Sequence, residues 1–383
     1  MQRKWLNNMA QVMRTRDWRL SFVPFIMGTV YMWLWWFDIP MQSASVILVL
    51  LSLITSVGFA ALGYFVNEFF DKESDARAGK VNRLAYLPAR LQGAILLLCV
   101  TLTFLPWIWL PKNLLSYIFI AAQIGLYLVY SLPGIRLKEN PYLSVIVDAG
   151  YAYLIPLALS FHTYSLYAGK HDYPAWYFFF ITTLFFTGVR NILQHQSRDA
   201  IRDALSGTKT LPLLLGIRGT FQLVVVLFLY ENFFWLFTWV LLFQKAWIAV
   251  VYIVIHLIIA IYTYKLMMIS ACRVQQEGLY INRSYMIFFP IWAVVLAVTV
   301  DPLWVVVFFI HIVLFVPGFY YRFIWIKMKA IYYAVVSFIM VQVRDVVSKA
   351  VNYPIYYCFR LFGVDLIKEN RTAADVLLGR KRK

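Results

Sequence analysis

The sequence predicts an all-α membrane protein with nine or ten transmembrane helices, arranged as two similar four-helix units around a central cavity and followed by an amphipathic C-terminal helical tail. Two observations underlie this prediction. The 383-residue chain is 62% hydrophobic and only 14% charged, whereas soluble domains carry about 25% charged residues. Apolar runs of bilayer-spanning length also recur from Leu20 to about Pro317, and they leave no room for a separate globular core.

Ten apolar stretches approach the roughly 17 to 25 residues that a membrane-spanning helix needs. They lie near residues 20–37, 45–66, 91–110, 114–131, 143–160, 174–193, 219–243, 246–269, 285–300 and 302–317. The last two are short and are separated only by Asp301-Pro302, so nine spans are an alternative to ten.

The ends of the chain differ from this apolar region. We expect a basic cytoplasmic or interfacial segment at 1–19, the transmembrane domain at 20–317, and a basic amphipathic extension at 318–383. The N-terminus lacks a short apolar core followed by a small-residue cleavage site, so a removable signal peptide is not expected. The one apolar run of the extension, Ala330 to Val343, is too short to cross. An interfacial or packed helix is favoured there over an eleventh span.

The basic residues predict the orientation of the spans. Most of the basic residues in the loops between spans follow even-numbered spans, namely Lys72, Arg77, Lys80, Arg83, Arg90, Arg136, Lys138, Arg198, Arg202, Lys209, Arg218, Arg273 and Arg283. The loops after odd-numbered spans contain only Lys112, Lys170 and Lys245. Since basic loops stay in the cytoplasm, the even-span loops are predicted to be cytoplasmic, in a plasma or inner membrane. Attraction to anionic lipid then explains the net charge of +17, and nucleic acid is not a predicted partner.

A polar stripe marks the end of the second span. Asn67, Asp71 and Asp75 are spaced i, i+4, i+8, so a continuous helix places all three on one face. Carboxylate and amide oxygens without His or thiolate suit a hard cation, and Mg²⁺ is usually bound by one or two carboxylates together with substrate phosphates. The three cysteines are widely spaced, which argues against disulfides and thiolate metal sites.

A second acidic pair, Asp199 and Asp203, follows the sixth span. Both motifs therefore lie at the same membrane face, four spans apart, as a parallel repeat of spans 1–4 and 5–8 would place them. Two facing pairs can hold two Mg²⁺ ions around one diphosphate. Lys80, Arg83 and Lys209 follow the motifs and would add counter-charge, while Gly79 and Gly207 would end the helices. The alternative is a pair of ordinary solvated helix ends with i, i+4 charge pairs.

These motifs resemble those of the UbiA superfamily of intramembrane prenyltransferases, which have a first NxxxDxxxD and a second DxxxD motif. Asn82-Arg83 is similar to the family's Asn-Arg-Pro, with Leu84 in place of proline, and Gly207 with Thr210-Leu211-Pro212 is similar to its Gly-x-x-Thr-Leu-Pro. The segment from Tyr130 to Lys138 is similar to the loop after span four. His195-Gln196 departs from the Asn-Asp that often precedes the second pair, so one carboxylate fewer is available there.

The resemblance implies Mg²⁺-dependent transfer of a prenyl group from a prenyl diphosphate to an aromatic or quinone-precursor acceptor within the membrane. The implied metal ligands are Asn67, Asp71, Asp75, Asp199 and Asp203. The implied diphosphate-binding residues are Asn67, Lys80, Arg83, Arg190, Asn191, Arg198 and Lys209. Terpene cyclisation and phosphoribosyl transfer to a polyprenyl phosphate use the same type of metal site and remain open, as does transport of an anionic lipid or metabolite.

Several other polar residues lie inside the spans, where they are expected either to serve the site or to bond between helices. Asp148 in span five is costly in lipid, and we expect it to act beside the metal site, orienting the acceptor or taking its proton. For Arg190, a snorkelling interfacial position is an equal alternative to diphosphate binding. Glu231, His256 and His311 are expected to form interhelical hydrogen bonds. Four aromatic residues near the motifs are candidates for stabilising a carbocation: Tyr64, Phe65, Phe69 and Tyr151.

Overall fold

A computed structural model describes residues 12–15, 18, 22–77, 79, 81–243, 245–269 and 281–315. Lys80, most of the 1–19 segment and the whole 318–383 extension lie outside the described residues, so the expectations for them stay predictions. The described part contains helices and no strand. Its helices are α1 Phe22–Trp36, α2 Ser43–Phe70, α3 Lys72–Arg77, α4 Ala89–Phe104, α5 Leu114–Ser131, α6 Leu143–Ala149, α7 Ile155–Tyr167, α8 Ala175–Ser206, α9 Leu211–Phe243, α10 Ala249–Ile269, α11 Ile281–Arg283, α12 Phe289–Val300 and α13 Val305–Phe315.

Eight helical stretches in the described part of the chain are long and apolar enough to cross a bilayer. They are Ser43–Phe70, Ala89–Ile108, Leu114–Ser131, Leu143–Tyr167, Ala175–Leu205, Leu211–Phe243, Ala249–Ile269 and Ile281–Val300. Two shorter apolar helices, Phe22–Trp36 and Pro302–Phe315, correspond to the first and last predicted stretches. The prediction of an all-α, multi-pass membrane protein is confirmed.

The two predicted four-span units share a packing pattern. In the first unit α2 packs along α4, and in the second α8 packs along α9, so the second span of each unit contacts the third. The first helix, α1, is buried without a break from Val23 to Trp35 and packs against α7 and α12. A helix that is apolar on all sides is suited to such a central position. The approach to α12 is close, because a Cβ added to Gly28 would lie 2.9 Å from Pro290 Cα.

Two spans contain a π-helical turn. Gly150–Leu154 joins α6 to α7, and Ser284–Phe288 joins α11 to α12. Each wide turn is followed by a helix with proline among its first residues, Pro156 and Pro290 respectively. A proline ring clashes with the carbonyl four residues before it in a regular α-helix, and a π-turn relieves that clash. The first of these turns begins two residues after Asp148, so it changes the helix geometry beside that carboxylate.

Candidate active site

The first motif lies on one helical path, as the spacing predicts. The Asp71 amide donates to the Asn67 carbonyl at 3.0 Å, and the Asp75 amide donates to the Asp71 carbonyl at 2.8 Å. Asp71 itself is the residue between α2 and α3 and has φ −92° and ψ −1°. The i, i+4 hydrogen-bond ladder therefore passes through the junction, and Asn67, Asp71 and Asp75 follow one another along one side.

Two cations from the loop between α5 and α6 face this stripe. Arg136 Nη2 donates to Asp71 Oδ1 at 3.1 Å and to Ser74 Oγ at 2.7 Å. Lys138 Nζ forms an ion pair with Asp71 and donates to Asn67 Oδ1 at 3.2 Å. Burial lowers the pKa of Lys138, while the Asp71 and Asp75 carboxylates act in the opposite direction. Two half-buried cations therefore face two of the predicted metal ligands.

Asn82 holds the last aspartate of the first motif. Its Nδ2 donates to Asp75 Oδ2 at 3.0 Å and to the Glu68 carbonyl at 2.8 Å, and its Oδ1 accepts from the Ala85 amide at 3.1 Å. The side chain is buried. The loop after the motif is thus folded back onto α2, and Asp75 is oriented by a neutral donor rather than by a cation.

The second motif lies near the C-terminal end of α8. Gly207 ends this helix with φ +74°, and the Thr208 amide donates to the Asp203 carbonyl at 2.9 Å, which is the predicted role of that glycine. Asp203 is buried. Asp199 is partly exposed. Its carboxylate pairs with Arg202 at 3.4 Å and lies 4.0 Å from His195 Nε2. Gln196, where the family often has a carboxylate, donates instead to Ser144 Oγ at 3.1 Å.

The end of α5 lies between the first motif and Asp148. Ser131 donates to Asn67 Oδ1 at 3.4 Å, and the ring of the preceding residue, Tyr130, lies 5.4 Å from the ring of Tyr151, which bonds to Asp148. Helix α6, which contains Asp148, also contacts the segment just before the second motif, because Gln196 of α8 donates to Ser144. The fold therefore brings the first motif, the predicted membrane aspartate and the helix of the second motif to the same region.

A wall of tyrosines adjoins Asp148. The Tyr151 hydroxyl donates to Asp148 Oδ1, and the Tyr151 ring lies 5.1 Å from the Tyr127 ring and 5.4 Å from the Tyr130 ring, both edge-on. Of the four aromatic residues that the sequence singled out, Tyr151 is in this wall. Phe65 and Phe69 stack on each other, and Phe65 packs in a cluster with Leu84 and Cys99 on another side of α2.

Arg190 lies in the core. Its Nε donates to Glu231 Oε2 at 2.7 Å, both side chains are 0% exposed, and Nη2 donates to Asn282 Oδ1 at 2.8 Å. Asn191 Nδ2 donates to the Tyr153 hydroxyl at 2.7 Å. This geometry favours a structural role for Arg190. Glu231 forms the interhelical bond that the sequence predicts, and its partner is Arg190. The other two spanning residues expected to bond between helices also do so, because His256 contacts Ser284 and His311 contacts Tyr31.

The remaining predicted cations have exposed side chains. Arg83, Arg198 and Lys209 are all exposed near the ends of the motif segments, where a diphosphate could reach them. By contrast, Arg136 and Lys138 were not predicted as site residues, although they are the cations that contact the first motif. The signal was in the sequence: two cations two residues apart, on the loop that enters the span of Asp148.

The donor set fits Mg²⁺ bound together with a substrate. Among the described residues, no group of three or more His, Cys, Asp and Glu side chains gathers as a ready-made cage. Mg²⁺ does not need one, because it usually takes one or two carboxylates and completes its shell with waters and phosphate oxygens. The hard oxygens of Asn67, Asp71, Asp75, Asp199 and Asp203 match that preference.

A model of the UbiA prenyltransferase family matches residues 21–274. The chain belongs to this family. The matched region contains both aspartate motifs, Asp148 and the Arg136–Lys138 loop, and it ends before α11. No curated protein matches the sequence.

Solved structures support the same fold for this UbiA-family chain. A UbiA homologue from Archaeoglobus fulgidus bound to GPP and Mg²⁺ is 16% identical, with a TM-score of 0.54 over 77% of this chain and 98% of that one. The same homologue bound to DMAPP and Mg²⁺ is 15% identical, with a TM-score of 0.54 over 76% and 99%. A digeranylgeranylglyceryl phosphate synthase structure is 14% identical, with a TM-score of 0.54 over 78% and 99%. At these identities, the likeness concerns the fold.

Proposed function

We propose that the protein catalyses Mg²⁺-dependent transfer of a prenyl group from a prenyl diphosphate to an aromatic or quinone-precursor acceptor inside the membrane. The observation that carries this proposal is the chain of contacts that joins the first motif, Asp148 and the helix of the second motif: Ser131 to Asn67, Tyr151 to Asp148, and Gln196 to Ser144. Arg136 and Lys138 pair with Asp71 at the same end. Carboxylates for metal ions, cations for phosphate and a buried carboxylate beside tyrosine rings are the parts that this reaction needs. The homologue structures bound to GPP, DMAPP and Mg²⁺ support the choice of substrate.

The donor end of the site has two tasks. Asn67, Asp71, Asp75, Asp199 and Asp203 would hold Mg²⁺, which when bound supplies Lewis-acid stabilisation of the leaving diphosphate.

Arg136 and Lys138 pair with Asp71 in this structure, and we propose that they would bind the diphosphate when Asp71 serves as a metal ligand instead. Arg83, Arg198 and Lys209 would add exposed positive charge at the same end, and Lys80 is proposed from sequence alone.

The bond changes would take place at the acceptor end of the site, beside Asp148 and the tyrosine rings. The C1–O bond of the donor breaks, and diphosphate leaves with the electron pair. The rings of Tyr130 and Tyr151 present electron-rich surfaces to the allylic cation. A carbon or heteroatom of the acceptor then bonds to C1, and the proton that it loses passes to Asp148, which Tyr151 orients.

The test uses purified protein with Mg²⁺, prenyl diphosphates of two to four isoprene units and a panel of phenolic and naphthoate acceptors, with lipid products identified by mass spectrometry. Asp71→Ala and Asp199→Ala should each abolish diphosphate release while the protein stays folded. Glu73→Ala is the matched control, because Glu73 is an exposed carboxylate within the first motif segment but off its stripe. Full activity of both aspartate variants would refute the proposed mechanism.

The same assay separates the alternatives. A hydrocarbon product formed without an acceptor would identify a cyclase. Inertness toward every prenyl diphosphate, together with turnover of phosphoribosyl diphosphate, would identify the sugar transferase. Transport into liposomes without Mg²⁺ or diphosphate release would identify a transporter. We place the site on the cytoplasmic face because the motif loops follow even-numbered spans, whose loops carry most of the basic residues found between spans. Labelling of a single cysteine introduced at exposed Lys209 in sealed vesicles tests that orientation.

A further inference from the structure

A small cavity of about 30 Å³ lies inside the bundle between α1, α2 and α7. Its lining includes Val30 of α1, Ser52, Ser56 and Phe59 of α2, and Thr163 of α7. Several of its hydroxyls are already used within their own helices: Ser52 donates to the Leu48 carbonyl at 2.8 Å and Ser56 to the Ser52 carbonyl at 2.7 Å. These small side chains leave space, and Thr55 Oγ1 is the lining hydroxyl without a hydrogen-bond partner among the described residues. The other lining hydroxyls are already hydrogen-bonded and the remaining side chains are apolar or aromatic, which suits an apolar occupant.

The cavity is remote from the motif end of the bundle. Phe59 precedes Asp71 by twelve residues and Ser52 precedes it by nineteen, within the unbroken helix α2. At 1.5 Å per residue, the cavity begins about 18 Å from Asp71 and extends to about 28 Å. It therefore lies beyond the tyrosine wall, in the direction that the tail of a bound prenyl diphosphate would take into the membrane.

A hydrogen-bonded tyrosine adjoins this cavity through the backbone of Phe59, one of the lining residues. The Tyr127 hydroxyl donates to the Phe59 carbonyl at 2.9 Å and accepts from Gln123 Nε2 at 2.7 Å, and the same Nε2 donates to the Tyr151 carbonyl at 2.8 Å. Helix carbonyls point toward the C-terminus, so the Tyr127 hydroxyl lies on the Asp71 side of Phe59. The ring is pressed onto α2, since a Cβ on Gly63 would lie 2.9 Å from it.

We propose that Tyr127, held by Gln123, is the residue that limits the length of the prenyl donor. This inference rests on the proposed function. The ring crosses from α5 to α2 at the level of Gly63 and Phe59, about 12 to 18 Å from Asp71 along α2. With carbon–carbon bonds of about 1.5 Å, an extended isoprene unit spans roughly 5 Å. On this scale, a donor of two to three units would end before the ring, and a fourth unit would meet it.

Gln123 is a positioning residue in this proposal. Its side chain is fully buried in α5, and its single amide nitrogen connects the barrier residue to the backbone of the reaction-side Tyr151. Loss of this amide would free the Tyr127 ring without removing it. Gln123→Leu should therefore broaden the range of donors accepted, with a smaller effect than removal of the ring.

The experiment measures kcat/KM for geranyl, farnesyl and geranylgeranyl diphosphates, and the affinities of their thiolodiphosphate analogues by calorimetry with Mg²⁺. Tyr127→Ala should raise the geranylgeranyl-to-geranyl ratio of kcat/KM by about tenfold or more, a size typical of pocket-length discrimination. Ser56→Phe added to Tyr127→Ala refills the cavity and should restore the short-donor preference. Tyr117→Ala is the matched control, since Tyr117 is an exposed tyrosine of the same helix. It should leave the profile unchanged.

Tyr127→Leu removes the ring with less loss of volume and serves as a second test if the alanine variant unfolds. Chain-length profiles of both variants identical to that of the wild type would overturn the inference while leaving the proposed function intact. A wild-type protein that neither binds nor turns over any prenyl diphosphate would overturn the proposed function, and the inference with it. If the Tyr127 variants prefer longer donors both in kcat/KM and in analogue affinity, the role of Tyr127 as the length barrier is supported.

Discussion

The Arg190–Glu231 pair gives the sharpest stability prediction. Replacing Glu231 with Gln keeps the shape of the side chain but leaves the Arg190 guanidinium buried without a counter-charge. Two unit charges about 4 Å apart attract by about 4 kcal/mol at an effective dielectric constant of 20, and removing one partner of a buried pair typically costs about 3–5 kcal/mol. Arg190 keeps neutral acceptors on Asn191, Gln194 and Asn282. We therefore expect Glu231→Gln to lower the free energy of unfolding by about 3 kcal/mol, near the lower limit of that range.

The assay is reversible unfolding in mixed micelles as the fraction of SDS rises, followed by tryptophan fluorescence. Thr220→Val is the control on the same helix, because the Thr220 hydroxyl donates to the Gly216 carbonyl of its own helix at 2.7 Å. It should change the free energy of unfolding by less than about 1 kcal/mol. The double variant Arg190→Met/Glu231→Leu removes both charges and should recover most of the loss.

Two results would refute this reasoning. One is a Glu231→Gln variant as stable as the Thr220→Val control, and the other is a double variant as unstable as the single one. The double variant also tests the other role of Arg190. If Arg190 binds diphosphate, the affinity of the stable double variant for the donor falls sharply, whereas a structural Arg190 predicts a donor affinity close to that of the wild type.

Three further predictions concern the site and its packing. Asn82→Ala releases Asp75 and should lower Mg²⁺-dependent kcat/KM by about 10- to 100-fold, with an unchanged circular dichroism spectrum as the check that the helices remain. Lys138→Ala should weaken calorimetric binding of a prenyl diphosphate by tenfold or more, about 1.4 kcal/mol or above, and equal binding would contradict the proposed role of Lys138. Gly188→Ala places a Cβ 2.8 Å from Ala149 Cβ and should destabilise by about 1–3 kcal/mol in thermal unfolding, whereas Gly125→Ala, with open space around it, should not.

The sequence predicted the architecture well, because hydrophobic length and charge asymmetry are strong signals in membrane proteins. All ten apolar stretches correspond to helices, and the i, i+4, i+8 stripe of the first motif follows one helical path. The spans with π-turns could not be recognised as such. A π-turn adds one residue to a helix, and an apolar run has no periodicity that reveals the insertion.

The site was predicted less completely, for a physical reason. Spacing along a helix identifies which side chains share its face, but it does not say what that face contacts. The partners of Asp71 therefore came from a loop more than sixty residues away, in Arg136 and Lys138. Arg190 illustrates the converse case. Its position just before the second motif suggested a phosphate ligand, while its partner Glu231 lies forty-one residues further along the chain.

The π-turn at Gly150–Leu154 has a consequence for comparing the two halves of the protein. A helix with one extra residue shifts the register of everything beyond it by about 100° relative to a regular helix. Residues before the turn, such as Asp148, and residues after it, such as Ser160, therefore cannot be matched to a regular span with a single offset. An alignment of span five with span one needs a one-residue gap at this turn, and an ungapped alignment would pair residues whose side chains point about 100° apart beyond the turn.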